Sequence, residues 1–377
     1  MQNPGLSPII EAECSLDELL PLRRAQQNPP GELIAAAVQW SQLVWAEAER
    51  QGAMPLSHEQ LEHGFNLARN SVFVCGVHRS GTTLVRNLLD AHPRLAVLPS
   101  EGTYYTNLER KLRSAPVAYQ VAFLGMEWLR RLANPINQPP YWLLGRSSIE
   151  NSRYVDFARY LMAWWDNVAS DSDTQWPHTA ILLAYASCFN GNAELWVDKT
   201  PTNEHFLERI REEMPNAKII LPVRNPIAVL ASRKKMEPGL NLRKALRDLR
   251  RSFKVAIEQL AADDAGFLLV RYEELSETPE TVIRQLVSFL EIEYSDILNI
   301  PTVAGMPAGA NSSFKQDTGP GQVLKQSEHK RSAELSKKEL ALLSAAVGKL
   351  SDKLGYPLPK IGFLRRVYLR LRYRLWY

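Results

Sequence analysis

The sequence predicts an α/β protein in which helices flank a parallel sheet, with a helical segment before the sheet and a helical insertion within it. Short apolar runs have the length of strands, with helical segments between them, at residues 71–76, 94–98, 194–197, 217–223 and 267–272. Runs that are apolar throughout are typical of parallel strands buried on both faces. Right-handed crossovers bring the carboxyl ends of such strands to one edge, where open α/β sheets bind their ligands.

The chain is expected to have three parts. Residues 1–70 predict an N-terminal helical extension, because 33–50 has apolar residues at helical spacing and the next segment opens on a candidate N-cap serine. Residues 71–355 would form the main domain, interrupted at 115–190 by a helical insertion rich in Trp and Tyr. Residues 356–377 would form a basic, aromatic tail.

Composition and charge narrow the class of protein. No apolar run reaches the ~18 residues of a membrane span, and the first residues carry acids where an export signal carries bases. The three cysteines are scattered, so we expect a cytoplasmic protein. Residues 360–377 carry six Lys or Arg and no acid, which leaves about −2 of the net +4 for the rest of the chain. Because basicity is confined to this tail and no RNA-binding signature is present, nucleic acid is not an expected partner.

A phosphate-binding loop is predicted in GVHRSGTTLV, residues 76–85, between the first apolar run and a helical segment. Gly76 and Gly81 have the spacing of a P-loop, and the strand–loop–helix context is the one that such a loop requires. Nucleotide-hydrolysing P-loops place a Lys after the second glycine, but this chain has Thr82 there and Arg79 three residues earlier. The motif therefore predicts an anion site with a displaced cation and a P-loop-like fold.

Three other interpretations of this pattern stay open. The loop could be a glycine turn with a solvated Arg79. The chain could be an NTP-dependent kinase in which Asp198, after the apolar run 195–197, binds magnesium. It could also be a non-catalytic phosphonucleotide-binding protein attached to membranes by its tail.

The stretch GVHRSGTTLVRNLLDAHP resembles the 5′-phosphosulfate loop of the sulfotransferases, and most closely the branch of tyrosylprotein and many bacterial carbohydrate and small-molecule sulfotransferases. In that branch an Arg, here Arg79, stands where the cytosolic steroid and phenol enzymes carry Lys. The resemblance implies 3′-phosphoadenosine 5′-phosphosulfate (PAPS) as co-substrate and no metal. It also implies donor contacts from the loop residues Arg79, Ser80, Gly81, Thr82 and Thr83.

A second motif lies in KIILPVRNPIAVLAS, residues 218–232, which ends a strand at Arg224 and starts a helix that carries Ser232. An Arg offers a bidentate fork to a phosphate, and a Ser two helical turns later can donate to the same group. The spacing resembles the 3′-phosphate motif of the family, which implies Arg224 and Ser232 as its ligands. Either residue alone could equally be structural.

Two later segments also resemble family motifs. LLVRYEELSETPETVIRQLVSFLEI, residues 268–292, resembles the segment whose tyrosine, here Tyr272, lies beside the adenine. Residues 311–336 resemble the late cofactor loop before a final helix at about 333–354, with Ser313 and Lys325 as candidate donor contacts. The resemblance covers roughly 71–355 and is weak in the insertion.

Sulfuryl transfer needs a base for the acceptor and positive charge near the leaving oxygen. Glu101 follows the second strand near the position of the catalytic Glu of the tyrosylprotein branch, about one residue out of register, and is the candidate base. Lys199 matches the Lys of the Lys-x-Pro segment and, with Arg79, would stabilise developing charge. The acceptor, a small molecule, sugar or glycolipid with a hydroxyl or an amine, would be chosen by the insertion.

The tail FLRRVYLRLRYRLWY, residues 363–377, allows two periodicities. Arg370, Arg372 and Arg374 alternate with apolar residues as in a strand, whereas a helix would spread its arginines around more than half of its circumference. The tail is expected either to pack on the body through its arginine stems or to contact a membrane surface peripherally.

Overall fold

The computed structural model describes residues 4–24, 30–133, 142–148, 152–170, 177–308 and 335–375. The strands are β1 Ser71–Val74, β2 Leu95–Val97, β3 Leu195–Lys199, β4 Lys218–Val223, β5 Phe267–Arg271, β6 Thr302–Val303 and β7 Met306–Pro307. The first α-helices are α1 Ser7–Arg24, α2 Gly31–Gln51, α3 His58–Arg69, α4 Thr82–Leu89, α5 Glu109–Leu112, α6 Val117–Ala133, α7 Arg153–Ser170 and α8 Pro177–Phe189. The later ones are α9 Leu207–Glu213, α10 Pro226–Met236, α11 Leu242–Ala261, α12 Tyr272–Glu277, α13 Pro279–Leu290, α14 Lys337–Lys353 and α15 Phe363–Tyr373. Shorter helical turns lie at Pro4–Leu6, Tyr104–Leu108, Asn203–Phe206 and Asp296–Asn299.

The main sheet has five strands in the order β2-β3-β1-β4-β5, which confirms the predicted α/β class. The pairs β1–β4, β4–β5 and β2–β3 are parallel, with Val72 opposite Lys218 and Leu95 opposite Leu195. Each strand lies within two residues of its predicted bounds, because a short apolar run between turn residues is a strong local signal.

The chain forms two compact units. One consists of Met1–Ser71, Asp90–Val197 and Thr302–Ala308, and the other of Val72–Leu89, Asp198–Pro301 and Gly309–Tyr377. In the part of the chain that the structure describes, no helix combines the length and apolarity needed to cross a membrane.

The first unit has a helical core that joins the N-terminal helices to the aromatic insertion. The ring of Trp40 on α2 meets the rings of Trp142 and Tyr154 edge to face, at centroid distances of 5.6 and 5.1 Å. Gly125 allows α6 to approach α2, because a Cβ at this position would lie 2.0 Å from the ring of Trp45. Most described aromatic side chains of the insertion are buried, so their main role in this unit is packing.

A small antiparallel hairpin, β6–β7, was not predicted from the sequence. The Asp90 carboxylate holds it by accepting hydrogen bonds from Thr302 Oγ1 at 2.7 Å and from the Gly305 amide at 2.8 Å. Strands of two residues carry no periodic signal, and the contact joins residues more than 200 positions apart. Local pattern could not have shown it.

Two predicted elements differ from the structure. The first helical segment after the apolar run 94–98 begins only at Tyr104, because Thr103 has a left-handed backbone (φ 55°). Tyr272, expected to end a strand, is the first residue of α12. For the tail the sequence allowed either a strand or a helix, and the structure has a helix, α15.

Candidate functional site

The predicted phosphate loop connects β1 directly to the first turn of α4. The Cys75 amide continues the sheet by donating to Ile220 O at 3.0 Å, and the Ser80 amide closes a turn onto Val77 O at 3.2 Å. The first turn of a helix leaves its amides without partners inside the helix. The backbone here therefore has the geometry of an anion site that follows a buried strand.

Gly81 is required in this loop for two independent reasons. Its φ of +109° lies in a region that residues with a Cβ rarely adopt, and a Cβ at this position would lie 2.6 Å from Tyr272 Cδ2. The Tyr272 ring, only 3% exposed, thus packs directly on the loop backbone. The expectation that this ring lies beside an adenine stays a prediction.

The second unit brings together residues from three separately predicted motifs. Arg79 Nε donates to Ser232 Oγ at 2.9 Å, which links the loop to α10. Arg224 Nη1 donates to the Arg79 carbonyl oxygen at 3.4 Å, and the Arg224 guanidinium carbon lies 3.9 Å from the centroid of the Tyr272 ring. Two arginines, a serine and a tyrosine from distant parts of the sequence therefore form one cluster around the loop.

A carboxylate that the sequence did not indicate, Glu273, positions this cluster. Glu273 accepts a hydrogen bond from the Asn225 amide at 2.8 Å through Oε1 and from the Tyr356 hydroxyl at 2.5 Å through Oε2. The Asn225 side chain caps α10 by accepting from the Ile227 amide at 2.9 Å. Glu273 therefore fixes the turn that follows Arg224. Its acidic neighbourhood was visible in the sequence, but its partner was not.

Lys199, at the end of β3, lies on a segment that is hydrogen bonded to the phosphate loop. The Thr200 amide donates to Val74 O at 3.2 Å, and the Thr202 amide donates to Gly76 O at 3.0 Å. The Lys199 side chain is buried. Asp198 accepts hydrogen bonds from Thr200 Oγ1 at 3.0 Å and from Asn203 Nδ2 at 3.2 Å, and these contacts hold the segment in place.

A buried carboxyl group, Glu204, follows this segment and was not singled out from the sequence. Burial raises its pKa from 4.5 to about 7. Hydrogen bonding from the Ser252 side chain and from the backbone of Gly76 lowers this pKa, but by less than burial raises it, and His205 Nε2 lies 3.7 Å from Oε1. Burial also lowers the pKa of His205 to about 4, so this imidazole is neutral at physiological pH. At physiological pH His205 therefore does not provide a positive charge that would stabilise the Glu204 carboxylate.

Glu101 belongs to the first unit and lies in the irregular stretch between β2 and the turn at Tyr104–Leu108. The Arg131 guanidinium holds this stretch by donating to the carbonyl oxygens of Glu101 and Gly102 and to Thr103 Oγ1. Glu127 in turn forms an ion pair with Arg131, with Oε1 2.9 Å from Nη2. Arg131 is thus a positioning residue for the predicted base, and no sequence pattern indicated it because 30 residues separate the partners.

The two remaining candidates, Ser313 and Lys325, lie outside the described residues. Two histidines that follow β1 in the sequence, His78 and His92, differ in environment. His78 is exposed within the loop, whereas His92 is buried and accepts a hydrogen bond from the Arg94 amide through Nδ1 at 3.3 Å.

A family model described as the sulfotransferase family matches residues 71–296, which is more than half of the chain. This chain belongs to the sulfotransferase family. The match includes the phosphate loop, the Arg224 motif and the Tyr272 segment, and it confirms the family expected from them.

Two curated sulfotransferases are similar in sequence to this chain. Protein-tyrosine sulfotransferase 1 of Danio rerio is 27% identical over 297 residues, which cover 74% of this chain and 71% of that protein. Protein-tyrosine sulfotransferase A of Caenorhabditis elegans is 25% identical over 64% of this chain, and the match spans only 55% of that protein.

Among solved structures, the sulfotransferase domain from the Synechococcus PCC 7002 olefin synthase is 20% identical, and the alignment covers 81% of this chain and 94% of that one, with a TM-score of 0.43.

Proposed function

We propose that this chain transfers a sulfuryl group from PAPS to a hydroxyl or an amine of an acceptor. The observation that carries the proposal is the cluster of Arg79, Arg224 and Ser232 around a glycine loop that has Thr82 in place of the P-loop Lys. Two guanidinium groups at one loop suit a ligand with two separate phosphate groups, which PAPS has at its 3′ and 5′ positions.

The residues of the second unit fit such a donor. The loop amides and Arg79 would hold the 5′-phosphosulfate, and Arg224 and Ser232 would hold the 3′-phosphate. Ser80 Oγ is buried and, within the described part of the chain, has no hydrogen-bond partner. This hydroxyl could therefore donate a hydrogen bond to an oxygen of PAPS. Ser232 also orients Arg79, because the Nε donor of Arg79 is directed at it.

PAPS would supply a sulfuryl group activated by a phosphate leaving group. In the transfer a sulfur–oxygen or sulfur–nitrogen bond to the acceptor forms while the bond from sulfur to the 5′-phosphate oxygen breaks. The electron pair remains on that phosphate oxygen. Glu101 would take the proton of the acceptor, and Lys199 and Arg79 would stabilise the charge that develops on the leaving oxygen. These roles rest on the family resemblance and on the position of each residue after a strand.

The acceptor is the least constrained part of the proposal. The curated relatives are named for protein tyrosine, and the structural neighbour for an olefin synthase. We propose a small-molecule, sugar or glycolipid acceptor for this chain, because one donor site serves many acceptors in a fold of this type.

A kinase would require Asp198 as a magnesium ligand. Both oxygens of this carboxylate accept a hydrogen bond from Thr200 Oγ1, and Oδ2 also accepts one from Asn203. This geometry favours a positioning role for Asp198 and so favours sulfuryl transfer over phosphoryl transfer.

Calorimetry with 3′,5′-adenosine bisphosphate, the desulfated donor product, tests the donor class. We expect binding without added metal, and much weaker binding of ATP with Mg²⁺. Arg224→Ala should weaken bisphosphate binding about 10- to 100-fold, because it removes a charge-assisted contact. Arg243→Ala, which removes an exposed arginine of α11, is the matched control and should change nothing.

Two results would count against the proposal. One is tighter binding of ATP with Mg²⁺ than of the bisphosphate. The other is an equal loss of affinity in Arg224→Ala and Arg243→Ala. If binding behaves as expected, radiolabelled PAPS with a panel of hydroxyl and amine acceptors then tests for transfer.

A further inference from the structure

The last described helix, α15, exposes an apolar ridge to solvent. Leu364, Tyr368 and Leu371 follow the i, i+4, i+7 spacing that places side chains on one helix face. Their exposed fractions are 81%, 61% and 63%, and Phe363 at the start of the helix is 73% exposed. Large apolar side chains are rarely exposed side by side unless the surface binds something.

Cations border this ridge, and no acidic residue accompanies them. Arg365 and Arg372 are exposed and seven positions apart, so they lie on one helix face beside the ridge, and Arg374 is exposed just after the helix. The chain has no Asp or Glu after Asp352. The exposed face of α15 is therefore both apolar and uniformly positive.

Contacts between α15 and the rest of the unit give this helix one face toward the protein and one toward solvent. Arg370 Nε donates to the carbonyl oxygen of Ala345 on α14 at 2.6 Å, and Arg366 Nε is buried. These two arginines, which would spoil the division of faces on an isolated helix, are directed toward the protein. Leu375, after the helix, is buried, so α15 is anchored while its opposite face stays exposed.

We propose that this face of α15 rests on an anionic phospholipid surface. An apolar ridge with cations beside it is the arrangement by which interfacial helices insert their apolar side chains while their cations contact lipid phosphates. Charge argues against a second copy of this chain as the occupant, because two such faces would bring arginines against arginines without acids to pair them.

Vesicle co-sedimentation of the full-length protein tests this proposal. We expect the protein to pellet with vesicles of phosphatidylcholine and phosphatidylglycerol in equal parts, to stay in solution with pure phosphatidylcholine, and to be released by high salt. Arg365→Gln/Arg372→Gln should lower vesicle affinity roughly 20- to 30-fold, the effect of two surface cations. Leu364→Ser/Leu371→Ser should lower it as well.

Matched pairs elsewhere on the surface serve as controls. Arg110→Gln/Lys111→Gln removes two exposed cations from α5, and Val117→Ser/Tyr119→Ser removes two exposed apolar side chains from α6. Both should pellet like the unaltered protein.

Three outcomes would overturn the proposal. They are failure of the unaltered protein to pellet, equal losses in the α15 and control variants, and binding that ignores lipid charge. Sedimentation velocity tests the other occupant, a second copy of this chain. If the protein forms a dimer that only Leu364→Ser/Leu371→Ser abolishes, and if it does not bind vesicles, the ridge would be assigned to a second copy.

Discussion

Substituting Glu204 by Gln should make the protein more stable at alkaline pH and leave its stability at acidic pH almost unchanged relative to the parent. Glu204 is fully buried, and burial raises its pKa from 4.5 to about 7. The titratable groups that interact with it electrostatically include Asp248 and Cys75, which do not stabilise a carboxylate. A glutamine has the shape of the protonated acid and cannot ionise.

The direction follows from which state holds the proton. Below about pH 4.5 both folded and unfolded chains are protonated at this position, so the group has no effect on stability. As the pH rises from there to about 7, the unfolded chain loses the proton while the folded protein keeps it, and the free energy of unfolding falls. The full loss is roughly 3 kcal/mol, from about 2.5 pKa units at 1.36 kcal/mol each.

Urea unfolding at pH 5 and pH 8, followed by tryptophan fluorescence, measures the effect. The difference in unfolding free energy between Glu204→Gln and the parent should grow by about 2 to 3 kcal/mol from the lower to the higher pH. A constant offset from the buried amide cancels in this comparison. Glu208→Gln, which alters an exposed carboxylate on α9, should show no such growth. An equal difference at both pH values for Glu204→Gln would refute the reasoning.

Three further predictions concern the site. Gly81→Ala should abolish detectable binding of 3′,5′-adenosine bisphosphate, since its Cβ would collide with Tyr272; calorimetry showing undiminished affinity would contradict this. Ser232→Ala should weaken that binding about tenfold by removing the partner of Arg79 Nε, and unchanged affinity would mean that neither phosphate depends on this contact. Glu101→Gln should lower turnover by about 10²–10⁴-fold with bisphosphate affinity retained, and an active variant would assign the base elsewhere.

The core of the second unit could be predicted because its signals are local. The apolar runs fixed the strand positions, and the glycine spacing with Arg79 indicated the loop before any contact was known. The convergence of Arg224 and Ser232 on that loop followed from the placement of strand ends in parallel sheets.

The contacts that hold the site could not be predicted in the same way. Glu273 with Tyr356 and Arg131 with the Glu101 stretch depend on side chains far apart in sequence, and no periodicity encodes such pairs. The conformation of the tail could not be decided from the sequence for a related reason. The faces of α15 become distinct only once Arg370 is directed at α14, and an isolated sequence does not show that neighbour.

The strand order has a consequence for how the protein acquires its loop. Val72 in β1 pairs with Lys218 in β4, 146 residues later in the chain. Closing a flexible loop of that length costs about 4 kcal/mol of chain entropy before any contact compensates for it. During synthesis the edge of β1 that pairs with β4 therefore stays unpaired until β4 emerges from the ribosome. Folding should be slow and sensitive to chaperones, and a ribosome-bound chain that stops before Lys218 should still be open to proteases at the glycine loop.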